Sequence, residues 1–283
     1  INNSNIFSEY MVINQIDKDV DGNIWITNPY CEKDSNILAI QIQDNSSWVH
    51  VKAPNEHSFR PTSIAFDRFN RTWLGFAYDH DGGSTLYSEG GIKIFNKTNL
   101  SSDGWDDSTW VSISNPSELP GDDPQASVWS IAFDETDFLW ILNEKGIRGY
   151  EAYDQDENSI ILSPFRDANG SPREFLSHIS YTKGNRIKVD SQNNKWVITH
   201  QGIWIIKHSL ENDPFWPSAE GLHPENSGLL SDVVYDVAFD NDKGLAYLAT
   251  DKGISILQIP FADNPTKKQD IYISPNPFII PDD

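Results

Sequence analysis

The sequence predicts an all-β fold, a β-propeller of four-stranded antiparallel blades with five repeats visible. Three observations predict it. One stretch of sequence is written five times. Each copy carries an aspartate and an aromatic residue at nearly constant spacing. Short apolar runs alternate with clusters of Asn, Asp, Gly and Ser, and no long segment has a helical period.

The copies are "VINQIDKDVDGNIWITN" from Val12, "PTSIAFDRFNRTWLGFA" from Pro61, "VWSIAFDETDFLWILNE" from Val128, "NRIKVDSQNNKWVITHQ" from Asn185 and "VYDVAFDNDKGLAYLAT" from Val234. Their aspartates are Asp19, Asp67, Asp134, Asp190 and Asp240. Their aromatics are Trp25, Trp73, Trp140, Trp196 and Tyr247. The first four pairs share one spacing and the fifth is one residue longer. An apolar run, a polar turn and a second apolar run make a β-hairpin. The aspartate is expected to accept backbone N–H groups of that turn. The aromatic is expected to wedge between neighbouring sheets.

The third strand follows at Gly91-Ile92, Gly146-Ile147, Gly202-Ile203 and Gly253-Ile254, and at "NILAIQI" from Asn36 in the first copy. A fourth is expected in "SSWVHV" (Ser46), "STWVSI" (Ser108) and "SIILSPF" (Ser159); the last copy shows none. One small sheet cannot bury both faces, so blades stack radially. A five-bladed ring and part of a larger ring both suit five copies. "NSNIFSEY" from Asn3 or "DIYIS" from Asp270 would complete the last blade. Blades are expected to occupy residues 1–262. Residues 263–283 read as a linker and the first strand of a following β-sandwich module.

Composition narrows the function. With 21 Lys+Arg against 42 Asp+Glu, the net charge is −21. That excludes nucleic acid, whose phosphates need a cationic surface, and disfavours anionic lipid. No apolar run reaches the length of a membrane span, so no membrane insertion is expected. Cys31 is alone, so there is no intrachain disulfide.

Asp17, Asp19 and Asp21, followed by Gly22, match the opening of an EF-hand calcium loop. The twelfth position is Asn28 rather than a bidentate glutamate, and the flanks read as strands rather than helices. The turn reading therefore leads, with a looser calcium site on these three aspartates as the weaker alternative. "DHDGG" gives a second weak calcium candidate in Asp79 and Asp81. No other cofactor is expected.

In such a fold the lead-in to each first strand and the turn between second and third strands share one end. The lead-in candidates for ligand binding are Tyr10, Arg60, Trp129, Tyr181 and Tyr235. The turn candidates are Glu144, Lys145, His200, Gln201, Asp251 and Lys252, together with Asn28, Asp79, His80 and Asp81. Aromatic rings beside Arg, His and carboxylates stack on sugars and bind their hydroxyls. Trp129 and Tyr235 serve equally well as filler between blades. The seven histidines are scattered without metal-ligand spacing and no nucleophile elbow occurs, so no enzyme is expected.

The unit "GLLSDVVYDVAFDNDKGLAYLATDKGISIL", Gly228 to Leu257, resembles the two-component regulator propeller repeat. "DVDGNIWIT" and "GIWIIKHS" follow the same pattern, and the resemblance spans about Val12 to Pro260. "YISPNPFIIP" from Tyr272 is similar to the start of β-sandwich domains that follow such propellers in type IX secretion. The resemblance implies a PorZ-like exported protein of a Gram-negative bacterium. Such a protein would be a non-catalytic scaffold or binding module at the cell surface, in the periplasm or secreted, for surface or secretion proteins or a polysaccharide. The alternatives are a periplasmic oligosaccharide-sensing propeller of a hybrid two-component sensor, and a propeller lyase or glycoside-active enzyme.

Overall fold

The structure, a computed structural model, describes residues 13–29, 36–44, 46–52, 60–80, 87–95, 110–156, 158–210 and 213–259. It forms two compact units, Ile1–Lys183 and Gly184–Asp283. Tyr10, Cys31, Asp81 and the expected linker and sandwich strand lie outside the described residues.

The first unit holds three blades. The first is β1 (Ile16–Lys18), β2 (Ile24–Thr27), β3 (Asn36–Gln41) and β4 (Trp48–Lys52), antiparallel in that order. The second starts with β5 (Pro61–Phe66) and β6 (Thr72–Phe76). A small hairpin, β7 (Tyr78–His80) and β8 (Tyr87–Glu89), interrupts it before β9 (Ile92–Phe95) and β10 (Trp110–Ile113). The third is β11 (Val128–Phe133), β12 (Leu139–Asn143), β13 (Ile147–Asp156) and β14 (Ser159–Pro164). The second unit holds β15 (Arg186–Val189), β16 (Lys195–Thr199), β17 (Gly202–Ile206) and β18 (Phe215–Trp216). A one-turn helix α1 (Pro224–Ser227) then leads to β19 (Val234–Asp240), β20 (Leu245–Thr250) and β21 (Gly253–Gln258). The chain has the β-propeller fold. The three expected fourth strands are present, and the last blade has three strands among the described residues. β18 is a fourth strand that the sequence did not announce.

The spacing of aspartate and tryptophan has a specific cause. Asp19 Oδ1 accepts the N–H groups of Asp21 and Asn23, at 3.0 and 2.9 Å, while Oδ2 accepts the Trp25 indole N–H at 2.9 Å. Asp67 does the same with Phe69, Arg71 and Trp73, and Asp190 with Gln192, Asn194 and Trp196. Asp134 accepts the N–H groups of Thr136 and Phe138. The carboxylate therefore ties the turn to the second strand and is itself buried. The turn requires a left-handed residue three positions on, supplied by Gly22, Asn70, Asp137 and Asn193 with φ from 61° to 84°. In the fifth copy the left-handed residue is Gly244, one position later, which accounts for the longer spacing.

The tryptophans are wedges, as expected. Trp25, Trp73, Trp140 and Trp196 are 0% exposed. Trp25, Trp73 and Trp196 each meet the phenylalanine before the aspartate of the next blade, edge-on. The pairs are Trp25–Phe66, Trp73–Phe133 and Trp196–Phe239, at 5.5, 5.4 and 5.2 Å. Trp140 meets Phe175 from the connection that follows its blade, at 5.5 Å. Tyr247 departs from the expectation, being only half-buried.

The second and third blades also join at their outer edges. β10 pairs with β14 in parallel, Ser112 opposite Ser159 and Ile113 opposite Ile160. Asn115 extends the seam, its side chain donating to the Leu162 carbonyl at 2.7 Å and accepting the Leu162 N–H at 2.8 Å. Two outer strands that would otherwise be open edges thereby cover each other.

Candidate functional site

The turns between second and third strands are built alike. Asn143 Oδ1 accepts the N–H groups of Lys145 and Gly146, at 2.8 and 3.1 Å. Thr199 Oγ1 accepts from Gln201 N–H at 2.9 Å and donates to the Gly202 carbonyl at 2.9 Å. Thr250 repeats this with Lys252 and Gly253 at 3.2 and 2.8 Å. Glu144–Lys145, His200–Gln201 and Asp251–Lys252 are thus held at the tips by their neighbours' side chains. The tips lie beside the lead-ins of their own blades. Glu144 N–H donates to the Ser127 carbonyl at 3.0 Å, Asp251 N–H to Val233 at 3.3 Å, and Ala77 N–H to Arg60 at 3.0 Å. The two sets of candidates do share one end of the strands.

Within that end the structure sorts them. Arg60 and Asp79 form an ion pair, so a fixed cation already faces that carboxylate. Lys145 lies 3.6 Å from Glu144 and 3.9 Å from Asp123, and its charge is shared between them. Trp129 is half-buried on β11. Tyr181 is a correction. It is buried, its hydroxyl donates to the Leu176 carbonyl at 3.0 Å, and burial pushes its phenol well above the ordinary range. It is a core residue with no face for a ligand.

His200 and Tyr235 come together. Their rings meet edge-on at 5.8 Å and 73°, and Tyr235 remains 49% exposed. This is an accessible aromatic pair among the described candidates. Near the start of β17 lies a group the sequence did not reveal. His223 Nδ1 is 2.8 Å from Asp232 Oδ1, and Nε2 is 2.8 Å from the Glu220 carbonyl. The ring stands edge-on to Trp204 at 5.4 Å. Gly202 N–H donates to the Asp232 carbonyl at 2.8 Å, joining the two blades there. No motif announces this group, because its members come from the lead-in to the fifth blade and a strand of the fourth.

A cleft of about 370 Å³ in the first unit was equally invisible. Trp110, Ile113, Leu119, Pro124, Glu89 and Lys93 line it, between β9–β10 and the connection that follows them. The floor of that connection is an arginine clamp. Arg148, nearly buried, donates to the carbonyls of Glu118 and Leu119 at 2.9 and 3.0 Å. It also pairs with Asp122 at 2.9 Å and Glu174 at 2.7 Å.

The first-blade aspartates sit at the opposite end of the strands from this face. Asp19 is occupied by the turn, and Asp21 Oδ2 accepts from Asn70 Nδ2 of the next turn at 2.8 Å. Asp17 Oδ1 accepts from Lys18 N–H at 2.8 Å. Among the described residues no three His, Cys, Asp or Glu groups converge to hold a metal ion. Among the same residues no helix is long and apolar enough to cross a membrane.

No known family pattern matches the chain, and no curated protein matches it. Solved structures do. PorZ, an essential bacterial surface component of the type-IX secretion system of Porphyromonas gingivalis, matches at 19% identity and a TM-score of 0.59. The match covers 87% of this chain and 32% of PorZ. Virginiamycin B lyase from Staphylococcus aureus matches at 13% identity and 0.47, covering 91% and 73%. The extracellular domain of the one-component system BT4673 of B. thetaiotaomicron matches at 12% and 0.44, covering 89% and 35%. The chain therefore spans about a third of the length of PorZ. The likeness to PorZ is one of fold.

Proposed function

We propose that this chain is a non-catalytic, extracytoplasmic propeller module of PorZ-like kind. It acts as a binding or scaffolding platform at a cell surface, for a surface or secretion protein or a surface glycan. One observation carries the reading. The residues that recur from blade to blade are spent inside the fold, on turn N–H groups, indoles and wedges. The residues that differ from blade to blade stand at the turn tips and lead-ins, where His200 of a tip and Tyr235 at the start of β19 present an accessible aromatic pair beside polar neighbours. A scaffold that fixes identical hairpins and varies their tips is suited to recognition. The fold shared with a type-IX surface component supports the cellular setting. With a net charge of −21, the partner suited to this surface is a neutral glycan or a cationic protein patch.

The test is binding to an array of neutral and anionic surface polysaccharides, with cell-surface cross-linking for protein partners and a parallel assay for glycan cleavage. A Tyr235→Ala, His200→Ala double variant is expected to weaken glycan binding about tenfold or more, since an aromatic contact contributes about 0.5–1.5 kcal/mol. Its melting temperature should stay close to wild type. Turnover of any bound glycan, or binding indifferent to both substitutions, would defeat the reading.

A further inference from the structure

The aspartate turn that the repeats share occurs once more outside them, at Asp167–Ser171, in the connection that follows the third blade. Asp167 Oδ1 accepts the N–H groups of Asn169 and Ser171 at 2.8 and 3.0 Å, and Gly170 is left-handed at φ 82°. The sequence of this turn differs from the others at one step. It places Asn169 directly before Gly170, and this is the one Asn-Gly step in the chain.

That step carries a reactivity of its own. The main-chain nitrogen of the following residue is the nucleophile nearest to an asparagine side-chain carbonyl, and a glycine has no Cβ to crowd it. The structure leaves the step open. Residues 166–171 are exposed, and a Cβ added at Gly170 would meet nothing within 4 Å. Among the described residues nothing bonds the Asn169 side-chain amide, whereas those of Asn115, Asn143, Asn194 and Asn226 are all hydrogen-bonded. Gly170 N–H is held by the Asp167 carbonyl at 3.0 Å, a bond that water replaces readily at an exposed loop tip. The first-blade turn shows the contrast. Asp21-Gly22 has the same shape, but Asn70 Nδ2 holds Asp21 at 2.8 Å and the Gln43 side chain lies against Gly22.

We propose that Asn169 is a site of spontaneous deamidation and that its isoaspartyl product unfastens the hairpin of residues 165–173. The Gly170 nitrogen gives up its proton to water and attacks Asn169 Cγ. The Cγ–Nδ2 bond breaks, and the nitrogen leaves as ammonia with a proton from water. The cyclic imide that results takes up one water at either of its carbonyls. Opening at Cγ gives aspartate in a normal main chain. Opening at the main-chain carbonyl leaves the chain running through Cβ and Cγ, one atom longer. The added atom falls between the two N–H groups that Asp167 Oδ1 gathers, so the carboxylate no longer holds both. Arg166 gives way next, since it donates to the Gly170 carbonyl at 3.0 Å and reaches Glu118 at 3.4 Å.

Ageing the full chain at mildly alkaline pH, followed by peptide mass spectrometry, tests the reaction. The comparator is a free peptide of residues 163–175 aged alongside. Asn169 in the folded chain should convert within about tenfold of the peptide rate, because an exposed turn opens at almost no cost in free energy. Asn169 still intact once the peptide has converted would overturn the proposal and show that the hydrogen bond from Gly170 to Asp167 protects the step. Trypsin tests the consequence. The aged chain, separated from unreacted chain by ion exchange, is compared with Asn169→Asp, which has the same charge and a normal main chain. Cleavage after Arg166 should be several-fold faster in the aged chain, since Arg166 has lost its turn contact. Equal cleavage of the two would overturn the unfastening of the hairpin.

Discussion

Replacing Asp190 by alanine should be among the most damaging single changes in the second unit. Its carboxylate accepts from Gln192 N–H at 2.9 Å, Asn194 N–H at 2.9 Å, Asn194 Nδ2 at 3.1 Å and Trp196 Nε1 at 2.8 Å. Gln192 is half-buried, and water can satisfy its N–H once the carboxylate is gone. Asn194 and Trp196 are buried, so three donors are stranded: Asn194 N–H, Asn194 Nδ2–H and Trp196 Nε1–H. A stranded buried donor costs about 1–3 kcal/mol, which gives about 3–9 kcal/mol in total. Asp167 supplies the control. It makes the same turn, accepting Asn169 and Ser171 N–H at 2.8 and 3.0 Å with Gly170 left-handed, but the turn is exposed and no tryptophan is attached. Asp167→Ala should cost under about 1 kcal/mol, because water takes every donor. Urea unfolding followed by tryptophan fluorescence measures both. A further Trp196→Phe change in the Asp190→Ala background should cost less than it does in wild type, since the acceptor of its indole N–H is already lost. If Asp190→Ala and Asp167→Ala prove equally mild, the buried carboxylate is not what fixes the aspartate–tryptophan spacing.

Three other outcomes follow from the same geometry. Gly202→Ala should destabilise by about 2 kcal/mol or more. Its φ is +119°, and an added Cβ would stand 2.6 Å from His223 Cε1 and 2.9 Å from the Leu222 carbonyl. Gly170→Ala, at φ +82° with open space around it, should cost only about 1 kcal/mol by thermal melting. Arg148→Met should cost about 2–4 kcal/mol and open residues 116–124 to limited proteolysis, because the carbonyls of Glu118 and Leu119 lose their donor. Burial raises the phenol pKa of Tyr150 and Tyr181. The unfolded chain then releases phenolic protons above about pH 10 while the folded chain keeps them, so stability falls as pH climbs past that point. Ultraviolet titration should show the phenolates of Tyr150 and Tyr181 only with unfolding; early ionisation of both would contradict their burial.

What the sequence discloses is what is local to a hairpin. The aspartate, the left-handed residue and the tryptophan lie within a few residues of one another, so their hydrogen bonds impose a spacing that survives in four copies. The partner of each wedge was half-visible. Phe66, Phe133 and Phe239 stand before their aspartates, but nothing in one copy says that the ring belongs to the tryptophan of the copy before. What depends on long connections was not legible. The β10–β14 seam, the Arg148 clamp and the cleft arise from how residues 114–125 lie, and Tyr181 is buried by a connection without strand pattern. On the candidate face, the turn tips were legible because second and third strands fix them. The His223–Asp232 contact was not, since it joins two residues of a lead-in without periodicity.

The likeness of the first turn to a calcium loop has a physical origin, and it yields a sharp test. Both structures need a carboxylate that gathers turn N–H groups and a glycine at positive φ, here Gly22 at 84°. A calcium loop keeps its carboxylate oxygens for the ion. Here Asp19 gives Oδ1 to two backbone N–H groups and Oδ2 to Asn23 and Trp25, so a cation could bind only by displacing a buried indole bond. Millimolar calcium should therefore leave the melting temperature of the first unit unchanged. A site with a dissociation constant of about 10 μM would instead stabilise by about 2.7 kcal/mol at hundredfold excess, a shift of several degrees. Should such a shift appear, Asp21→Asn and Asp79→Asn would locate it. Loss of the shift in Asp21→Asn would mean that the turn opens to take the ion, and that the hydrogen bonds of Asp19 are weaker than their geometry implies.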